Sequence, residues 1–476
     1  MSFTSLLLIA LLAPAGDPAA AAAAKDEVAA SIDARRADYA SLAKQIWGFA
    51  ELGYQEEKSA SLLRARLTKA GFRVDRGVAG MPTAFVATWG QGKPVIGFMA
   101  EYDALPGLSQ DAVPERRPMG EGEPGQGCGH HLLGTGSTAA AIAVKDWLFR
   151  SKRPGTLKLY GTPAEEGGGG KIYMAQAGLF EGVDAMLMWH PSDKNDASPK
   201  ETLANISAKF RFRGVASHAA GAPEQGRSAL DGVEAMDYMV NLMREHVPAD
   251  ARIHYIITHG GAAPNVVPDA AEAYYYARHA SVPVLDKIWE RIVKASEGAA
   301  LGTGTRVEHE LVNAVYAMLP NHKLHELADV NMRRVAGYAY SAEEQAFAER
   351  IRATLPEAKA ELGSQTRVAP FQLSMGGGST DVADVSWLVP TCDVDAATWV
   401  PGTPAHSWQA TAAGGTSIGV KGMVIAAKTL AMTAVDLIFD PGLIEAAHAE
   451  WQEKRGADFS YRPRIGDRKP PLDYRR

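Results

Sequence analysis

The sequence predicts an α/β protein with a buried central sheet, into which a smaller α+β unit is inserted. Short apolar runs alternate with helix-like stretches in the first part of the chain, and this alternation is typical of a sheet covered by helices. Between residues 205 and 316 the order changes to strand, helix, strand, strand, helix, strand, which is the ferredoxin-like arrangement of a small antiparallel sheet. Helical character resumes after that. We therefore divide the chain into a main domain over residues 25–204 and 317–460, and an inserted unit over residues 205–316.

The elements of the main domain follow from the spacing of apolar residues. Residues 26–70 are predicted to be helical, with a stop at Gly71. Buried strands are predicted over residues 94–100, 156–161 and 183–189, with helical stretches near residues 132–150 and 171–178 between them. The stretch "SIGVKGMVIAAKTLAMTAVDLIF" predicts a long final helix.

The two ends of the chain differ from the rest. Residues 1–24 hold a short apolar core, "LLLIALL", and an alanine run, which indicate a signal peptide and a periplasmic or secreted protein. No Lys or Arg precedes that core, so an alanine-rich leader on a cytoplasmic protein is the alternative. The core is too short to span a membrane, and we predict no membrane span. Residues 461–476 are rich in Pro and Arg and are predicted to form a loosely attached tail.

Composition limits the possible functions. The chain has 476 residues, a net charge of −6 and 46% hydrophobic residues, as expected of a globular enzyme. Its mild acidity gives no reason to expect nucleic acid as a partner. Two cysteines, Cys128 and Cys392, do not make a disulfide framework.

Polar residues follow the predicted strands of the main domain. Glu101 and Asp103 come after the first strand, Glu165 and Glu166 after the second, and His190 after the third. Ligands bind outside the carboxyl ends of strands in open α/β sheets, so we expect these side chains to converge. The next helix is preceded by Cys128 and His130, on the same side. A thiol with imidazoles and carboxylates suits zinc or manganese, and one of two adjacent carboxylates can remain free as a general base.

Several segments together resemble a known family. They include "AEYDALPGL", "GCGHHLLGTGS", "GTPAEEGGGGK" and "GTPAHSWQAT", and the match runs in order over nearly the whole chain after residue 24. They are similar to the dinuclear-metal peptidases and amidohydrolases, a family with aminoacylases, glutamate carboxypeptidases and indole-acetyl-amino-acid hydrolases. The resemblance is nearest to its p-aminobenzoyl-glutamate hydrolase branch, and within that branch to the B-type subunits. It implies a mixed, largely parallel central sheet, two divalent metal ions, an N-acyl amino acid as substrate, and a homodimer formed through the inserted unit as lid.

The resemblance also implies roles for individual residues. Glu165 matches the general base, and Asp103 matches an aspartate that orients a metal ligand. His218 matches a lid histidine that stabilises the tetrahedral intermediate, which in relatives often comes from the partner subunit. The residues matching metal ligands are Cys128, His130, Glu166, His190 and His406; those matching substrate-binding residues are Asn265 and Arg278. The chain departs from many relatives at His131, where they have Asp, and at Glu101, where they have Asp or His.

Alternatives to this interpretation remain open at the level of sequence. The enzyme could act on dipeptides or other N-acyl amino acids. Cys128 could be the nucleophile of a thiol amidase, or a free buried thiol, and the chain could be a binding protein without turnover. Arg278 could pair with an acidic neighbour, and His190 could be a structural turn residue. Asp381 in "MGGGSTD" could face the substrate, or this stretch could be an ordinary turn.

Overall fold

The computed structural model describes residues 17–357, 360–376 and 378–475. The helices, in chain order, are α1 (Pro18–Ala34), α2 (Arg36–Phe49), α3 (Glu57–Lys69), α4 (His130–Ser151), α5 (Gly170–Gln176), α6 (Ala229–Met243), α7 (Val282–Thr303), α8 (His322–Val335), α9 (Ala342–Ala353), α10 (Val382–Ser386), α11 (Trp408–Gly414), α12 (Ser417–Phe439) and α13 (Pro441–Arg455). The strands are β1 (Arg73–Arg76), β2 (Phe85–Gln91), β3 (Val95–Ala100), β4 (Gly155–Gly161), β5 (Ala185–Ser192), β6 (Lys200–Glu201), β7 (Ala204–Arg213), β8 (Arg252–His259), β9 (Ala270–His279), β10 (Arg306–Val315), β11 (Ser374–Met375) and β12 (Thr391–Ala397).

The central sheet is mixed and largely parallel, which confirms the fold class. Its strand order is β1-β2-β4-β3-β5-β12. The neighbours β4, β3, β5 and β12 run parallel, whereas β2 runs antiparallel to both β1 and β4. The four parallel strands therefore end at one edge of the sheet, and the loops that follow them lie next to one another.

Helices α4 and α12 form much of the core of the main domain. They pack against each other and against strands of the central sheet. The side chain of Thr416 caps α12 by accepting a hydrogen bond from the N–H of Ile418. Within the described residues, α12 is the one helix long and apolar enough to cross a membrane, but 94% of its apolar window is buried inside the protein. That burial is typical of the core helix of a globular domain.

The inserted unit is a four-stranded antiparallel sheet with two helices on one face. Its strand order is β10-β7-β9-β8, and α6 and α7 pack together on one side. Alternation along β7 explains this arrangement: Phe210 and Phe212 are buried, whereas Lys209 and Arg211 lie on the open face. Strand β8 pairs only with β9 and so forms one edge of the sheet.

The structure differs from the predicted elements in several places, and strands β1, β2 and β12 of the central sheet were not among the predicted strands. The helical stretch predicted over residues 26–70 is the later part of α1 followed by α2 and α3, because the chain bends at Arg35 and is not helical between Phe49 and Glu57. Strand β5 continues to Ser192, so His190 lies within the strand rather than after it. The prediction of a loosely attached tail is wrong, because Tyr461, Arg468 and Tyr474 all donate hydrogen bonds to the folded domains. Composition alone could not show these acceptors, since they come from remote parts of the chain.

The leader predicted for residues 1–24 falls mainly on residues 1–16, which lie outside the described residues. Residues 18–24 form the first turns of α1, where Asp17 caps the helix by accepting a hydrogen bond from the N–H of Ala19. Ala24 is buried in the core of the main domain.

Candidate active site

The residues predicted as metal ligands and general base meet at the carboxyl edge of the central sheet. Glu101 directly follows β3, and Glu165 and Glu166 lie in the loop between β4 and α5. His130 is the first residue of α4 and follows Cys128 by two positions. His406 comes from the distant loop before α11, and its backbone N–H donates to the carbonyl of Gly127 at 3.0 Å. This hydrogen bond joins the two segments that carry Cys128 and His406.

Donor atoms of this cluster lie within reach of a common ligand. Cys128 Sγ is 3.4 Å from His190 Nε2, and His406 Nε2 is 3.3 Å from Glu166 Oε1. Among the described residues, three groups have donor atoms within 4.8 Å of one another: Cys128, His130 and His190; Cys128, Glu166 and His406; Glu101, His130 and Glu165. Cys128 and His130 each belong to two of these groups, so the groups form one continuous cluster.

Carboxylates fix the imidazole of His130. Its Nδ1 lies 2.8 Å from Asp103 Oδ1, and its Nε2 lies 3.1 Å from Glu101 Oε2, with all three side chains fully buried. The other oxygen of Asp103 accepts a hydrogen bond of 2.9 Å from the N–H of Glu166. Asp103 therefore contacts both a candidate ligand and the loop of the paired glutamates, a position from which a carboxylate can orient a ligand.

The adjacent glutamates have opposite electrostatic environments. Burial is the largest influence on both and acts to raise the pKa of each carboxyl group. For Glu166, the adjacent imidazole of His406 and the charge of His130 outweigh burial and lower the pKa to about 2. For Glu165, the carboxylates of Glu101 and Glu166 add to burial and hold the pKa well above its usual range. Two carboxyl groups whose pKa values are pushed apart can take different roles, one as an anionic ligand and one as a proton carrier.

The donor set fits a pair of divalent metal ions. A thiol, imidazoles and carboxylates are the ligands that zinc uses, and manganese accepts the oxygen and nitrogen donors. His130 Nε2 and Glu166 Oε1 are buried and make no hydrogen bond of good geometry. Buried polar atoms usually have a partner, so the lone pairs of these two atoms are available to an ion.

Lys171 is a component of the site that sequence reasoning missed. Its Nζ lies 2.6 Å from Glu101 Oε1 and 2.7 Å from Asp381 Oδ1, and all three side chains are fully buried. The Asp381 carboxylate also accepts the N–H of Lys171 at 2.9 Å. Asp381 is therefore a partner of Lys171, not a group that faces the substrate. The available signal was the lysine directly after the glycine run in "GGGGK", at the start of α5.

Two predicted lid residues lie together on the surface of the inserted unit. His218 is exposed, and its Nδ1 accepts hydrogen bonds from the N–H groups of Ala220 and Gly221 at 3.2 and 3.0 Å. The carbonyl of Asn265 accepts the N–H of Ala219 at 3.1 Å. Among the described residues, none of these hydrogen bonds joins His218 or Asn265 to the donor cluster of the same chain.

Arg278, on β9, lies nearer to the main domain. Its guanidinium makes a long hydrogen bond of 3.4 Å to Ser379 Oγ and lies over the ring of Tyr276. Its Nε is buried without a hydrogen-bond partner. No ion pair of Arg278 is found in the part of the chain that the structure describes, so pairing with an acidic neighbour does not account for it.

The fold and this donor cluster define the class of the protein: a metal-dependent hydrolase that acts on amide bonds, as peptidases and amidohydrolases do. Residues 97–431 match the family model of "Peptidase family M20/M25/M40", and the chain belongs to this family.

Similar proteins and structures agree with this assignment. The chain is 42% identical to the B-type subunit of p-aminobenzoyl-glutamate hydrolase from Escherichia coli, over 89% of this chain and 94% of that protein. It is 31% identical to Xaa-Arg dipeptidase of Mus musculus, over 92% of this chain and 95% of that protein. A dinuclear metal binding M20 peptidase from Bacillus subtilis has the same fold, with a TM-score of 0.55 at 18% identity, over 86% of this chain and 99% of that one. A putative aminohydrolase from Staphylococcus aureus does so with a TM-score of 0.61 at 16% identity, over 86% and 99%.

Proposed function

We propose that this protein hydrolyses the amide bond of N-acyl amino acids, and that p-aminobenzoyl-glutamate is the first substrate to test. The observation that carries the proposal is the pair Glu165 and Glu166 beside the donors Cys128, His190 and His406. The similarity to a p-aminobenzoyl-glutamate hydrolase of Escherichia coli supports the choice of substrate.

Different residues of the chain have different roles in the proposed reaction. Two divalent ions, for which we propose zinc or manganese, would be held by Cys128, His130, Glu166, His190 and His406, and when bound they supply Lewis acidity and a lower pKa for water. Glu165 accepts a proton from the attacking water while the water oxygen forms a bond to the carbonyl carbon of the substrate. As the C–N bond breaks, the same carboxyl group donates that proton to the leaving amine nitrogen, and a carboxylic acid and an amino acid result.

The inserted unit would bind the rest of the substrate. Arg278 has no carboxylate partner among the described residues, and a guanidinium with a buried, unpaired Nε suits a substrate carboxylate. We assign His218 to stabilisation of the oxyanion and Asn265 to the substrate carbonyl, as the family resemblance implies. Both residues are exposed, so closure of the inserted unit or a second copy of the chain has to bring them to the donor cluster.

We also propose that the protein is a homodimer that pairs through the inserted unit. Strand β8 is an edge strand, and Ile256 on it is 61% exposed. An exposed apolar edge strand is a ready template for pairing with another chain. Two of the Escherichia coli relatives are named as different subunits of p-aminobenzoyl-glutamate hydrolase, which raises a different chain as the other possible partner. The mass in solution of this protein, purified without any other chain, distinguishes a homodimer from a chain that needs a different partner.

Glu165→Gln and Glu166→Gln test the proposed roles as matched isosteric variants. We expect Glu165→Gln to lower kcat by about 10²- to 10⁴-fold while metal content stays at the wild-type level, because a general base is lost and a ligand is not. Glu166→Gln should lose both metal and activity. Turnover of p-aminobenzoyl-glutamate, N-acetyl amino acids and Xaa-Arg dipeptides, with elemental analysis of the same samples, provides the measurement. Loss of metal in Glu165→Gln would contradict the assignment of the base.

Chelation separates this function from its rivals. The hydrolase should lose activity on exhaustive chelation and regain it with added zinc or manganese. A thiol amidase would keep its activity under chelation and lose it to a thiol alkylator. Burial raises the pKa of the Cys128 thiol well above its usual range, whereas nucleophilic cysteines have a lowered pKa. A binding protein without turnover would bind the substrate and leave it intact at every metal concentration.

A further inference from the structure

The C-terminal segment Tyr461–Arg475 connects both parts of the molecule. The Tyr461 hydroxyl donates to Asp384 Oδ1 at 2.8 Å in the main domain, and Arg464 forms an ion pair with Asp286 on α7. Arg468 donates to the Tyr173 hydroxyl on α5 at 3.1 Å, and its two terminal nitrogens donate to the β10 carbonyls of Leu311 and Val312. This C-terminal strap is therefore fixed along its length.

The strap ends on the loop that carries the paired glutamates. The Tyr474 hydroxyl donates to the backbone carbonyl of Glu166 at 3.0 Å, and Arg475 Nη2 donates to the same oxygen at 2.8 Å. The ring of Tyr474 packs edge-on against Tyr54 at 5.6 Å, and the Tyr54 hydroxyl donates to the carbonyl of Gly168 at 2.8 Å. Two tyrosines and one arginine thus hold two carbonyls of a single short loop.

This loop needs external partners to keep one conformation. Three of its residues have positive φ: Ala164 at 57°, Gly167 at 91° and Gly169 at 70°. Ala164 is strained in that region, and glycines lose more backbone freedom than other residues when they are fixed. From the inner side, Asp103 and Glu56 accept the N–H groups of Glu166 and Ala164. Tyr474 and Arg475 supply the matching donors from the outer side.

We propose that Tyr474 and Arg475 are positioning residues for the Glu165–Glu166 pair. By fixing the Glu166 carbonyl from outside, they hold the Glu166–Gly167 peptide, while Asp103 holds the preceding Glu165–Glu166 peptide through the N–H of Glu166, so that Glu165 and Glu166 keep their separate directions. The inference rests on the roles proposed above for these two glutamates. Neither Tyr474 nor Arg475 belongs to the donor cluster, so both act through the loop.

The test compares Tyr474→Phe, Arg475→Met and their double variant with Asp473→Asn. Tyr474→Phe removes only the hydroxyl and keeps the ring on Tyr54, and Arg475→Met keeps an apolar stem. Asp473 is exposed on the same strap and serves as the matched control. We expect the double variant to lower kcat by about 10- to 100-fold with KM nearly unchanged, the usual scale for residues that support a metal site from outside. Metal affinity, measured by competition with a chelator, should fall about 10-fold.

Hydrogen exchange of the metal-free protein gives a readout independent of turnover. The amides of Glu166, Gly167, Gly168 and Gly169 are hydrogen-bonded within or beside the loop, so release of the strap should speed their exchange, whereas Asp473→Asn should not. If wild-type protein hydrolyses no N-acyl amino acid but loop exchange rises in the double variant, the proposed function is wrong. The conclusion that the strap fixes the loop then still holds. If the double variant keeps wild-type kcat, metal affinity and exchange, the positioning role is wrong. A general loss of thermal stability with unchanged loop exchange would also overturn it.

Discussion

Lys171 is a buried cation whose two partners are both carboxylates. It contacts Glu101 and Asp381 directly, and Glu101 in turn lies 3.1 Å from His130 Nε2. Burial acts to lower the pKa of Lys171, but the charges of Asp381 and Glu101 outweigh it and raise the pKa above its usual range. The lysine therefore stays charged and balances a carboxylate that would otherwise face the candidate metal ligands unpaired.

Lys171→Met should be strongly destabilising because it leaves two buried carboxylates without their counter-ion. We expect the free energy of unfolding to fall by about 3–5 kcal/mol, the usual cost of breaking a buried ion pair from one side. Adding Asp381→Asn restores the net charge of the cluster, so the double variant should recover a large part of that loss. Chemical denaturation of the single and double variants measures both values. A double variant no more stable than Lys171→Met would show that the charges do not couple.

Residue types and their place after strands were enough to predict most of the site, but not its buried counter-ion. Glu165 and Glu166 follow a strand, Cys128 precedes a helix and His190 lies near the carboxyl end of a strand, so topology predicts their convergence. His406 was identified through family resemblance alone, because nothing near it in sequence marks a ligand. Lys171 has the ordinary appearance of a surface residue, and only the folded chain shows that it is buried.

At the scale of elements, the approach of α4 to the end of β3 sets the position of His130. A Cβ at Gly134 would lie 2.5 Å from the carbonyl oxygen of Glu101, which is rigid backbone, and 3.2 Å from Leu63. The helix can therefore approach β3 only because residue 134 has no side chain. This contact keeps the first turn of α4, with His130, against Glu101.

Gly134→Ala should destabilise the protein, and Gly48→Ala is its matched control. Overpacking against a fixed backbone atom costs about 1–3 kcal/mol, so we expect a net loss even after the better helix propensity of alanine is counted. Gly48 lies exposed in α2 with open space around its Cβ position, and alanine there should raise the free energy of unfolding by about 0.5–1 kcal/mol. Denaturant unfolding compares the two. Equal effects of the same sign would contradict the packing argument.

Hydrophobic periodicity located β3, β4, β5 and the elements of the inserted unit, but it missed β1, β2 and β12 and placed element ends less well. The order of strands and helices over residues 205–316 predicted the four-stranded sheet. The burial pattern along β7 and β9 agrees with it, because one face is buried against helices and the other is open. Strand β5 was predicted to stop at Trp189 since His190 and Pro191 break the apolar run. Its pairing with β12 continues through both residues, and a partner more than 200 residues away cannot be inferred from local pattern.

On the scale of the whole molecule, the proposed active site draws on residues of two units, the main domain and the inserted unit. The donor cluster lies at the edge of the central sheet, whereas His218 and Asn265 lie exposed on the inserted unit. The C-terminal strap connects the units through Arg464 and Arg468 on one side and Tyr474 on the other.

Ile256→Lys should separate the proposed homodimer, because a lysine on an exposed edge strand opposes pairing with another strand. Ile256 is 61% exposed, so the single chain should remain folded. Leu301→Lys is the control, since Leu301 is 86% exposed on α7, away from the β8 edge. Light scattering should give the mass of two chains for the wild type and for Leu301→Lys, and of one chain for Ile256→Lys.

If the proposal that His218 serves the partner's site is correct, mixing Glu165→Gln with His218→Ala should restore activity, and Ile256→Lys in both should abolish that recovery. A wild-type mass of one chain would contradict the homodimer.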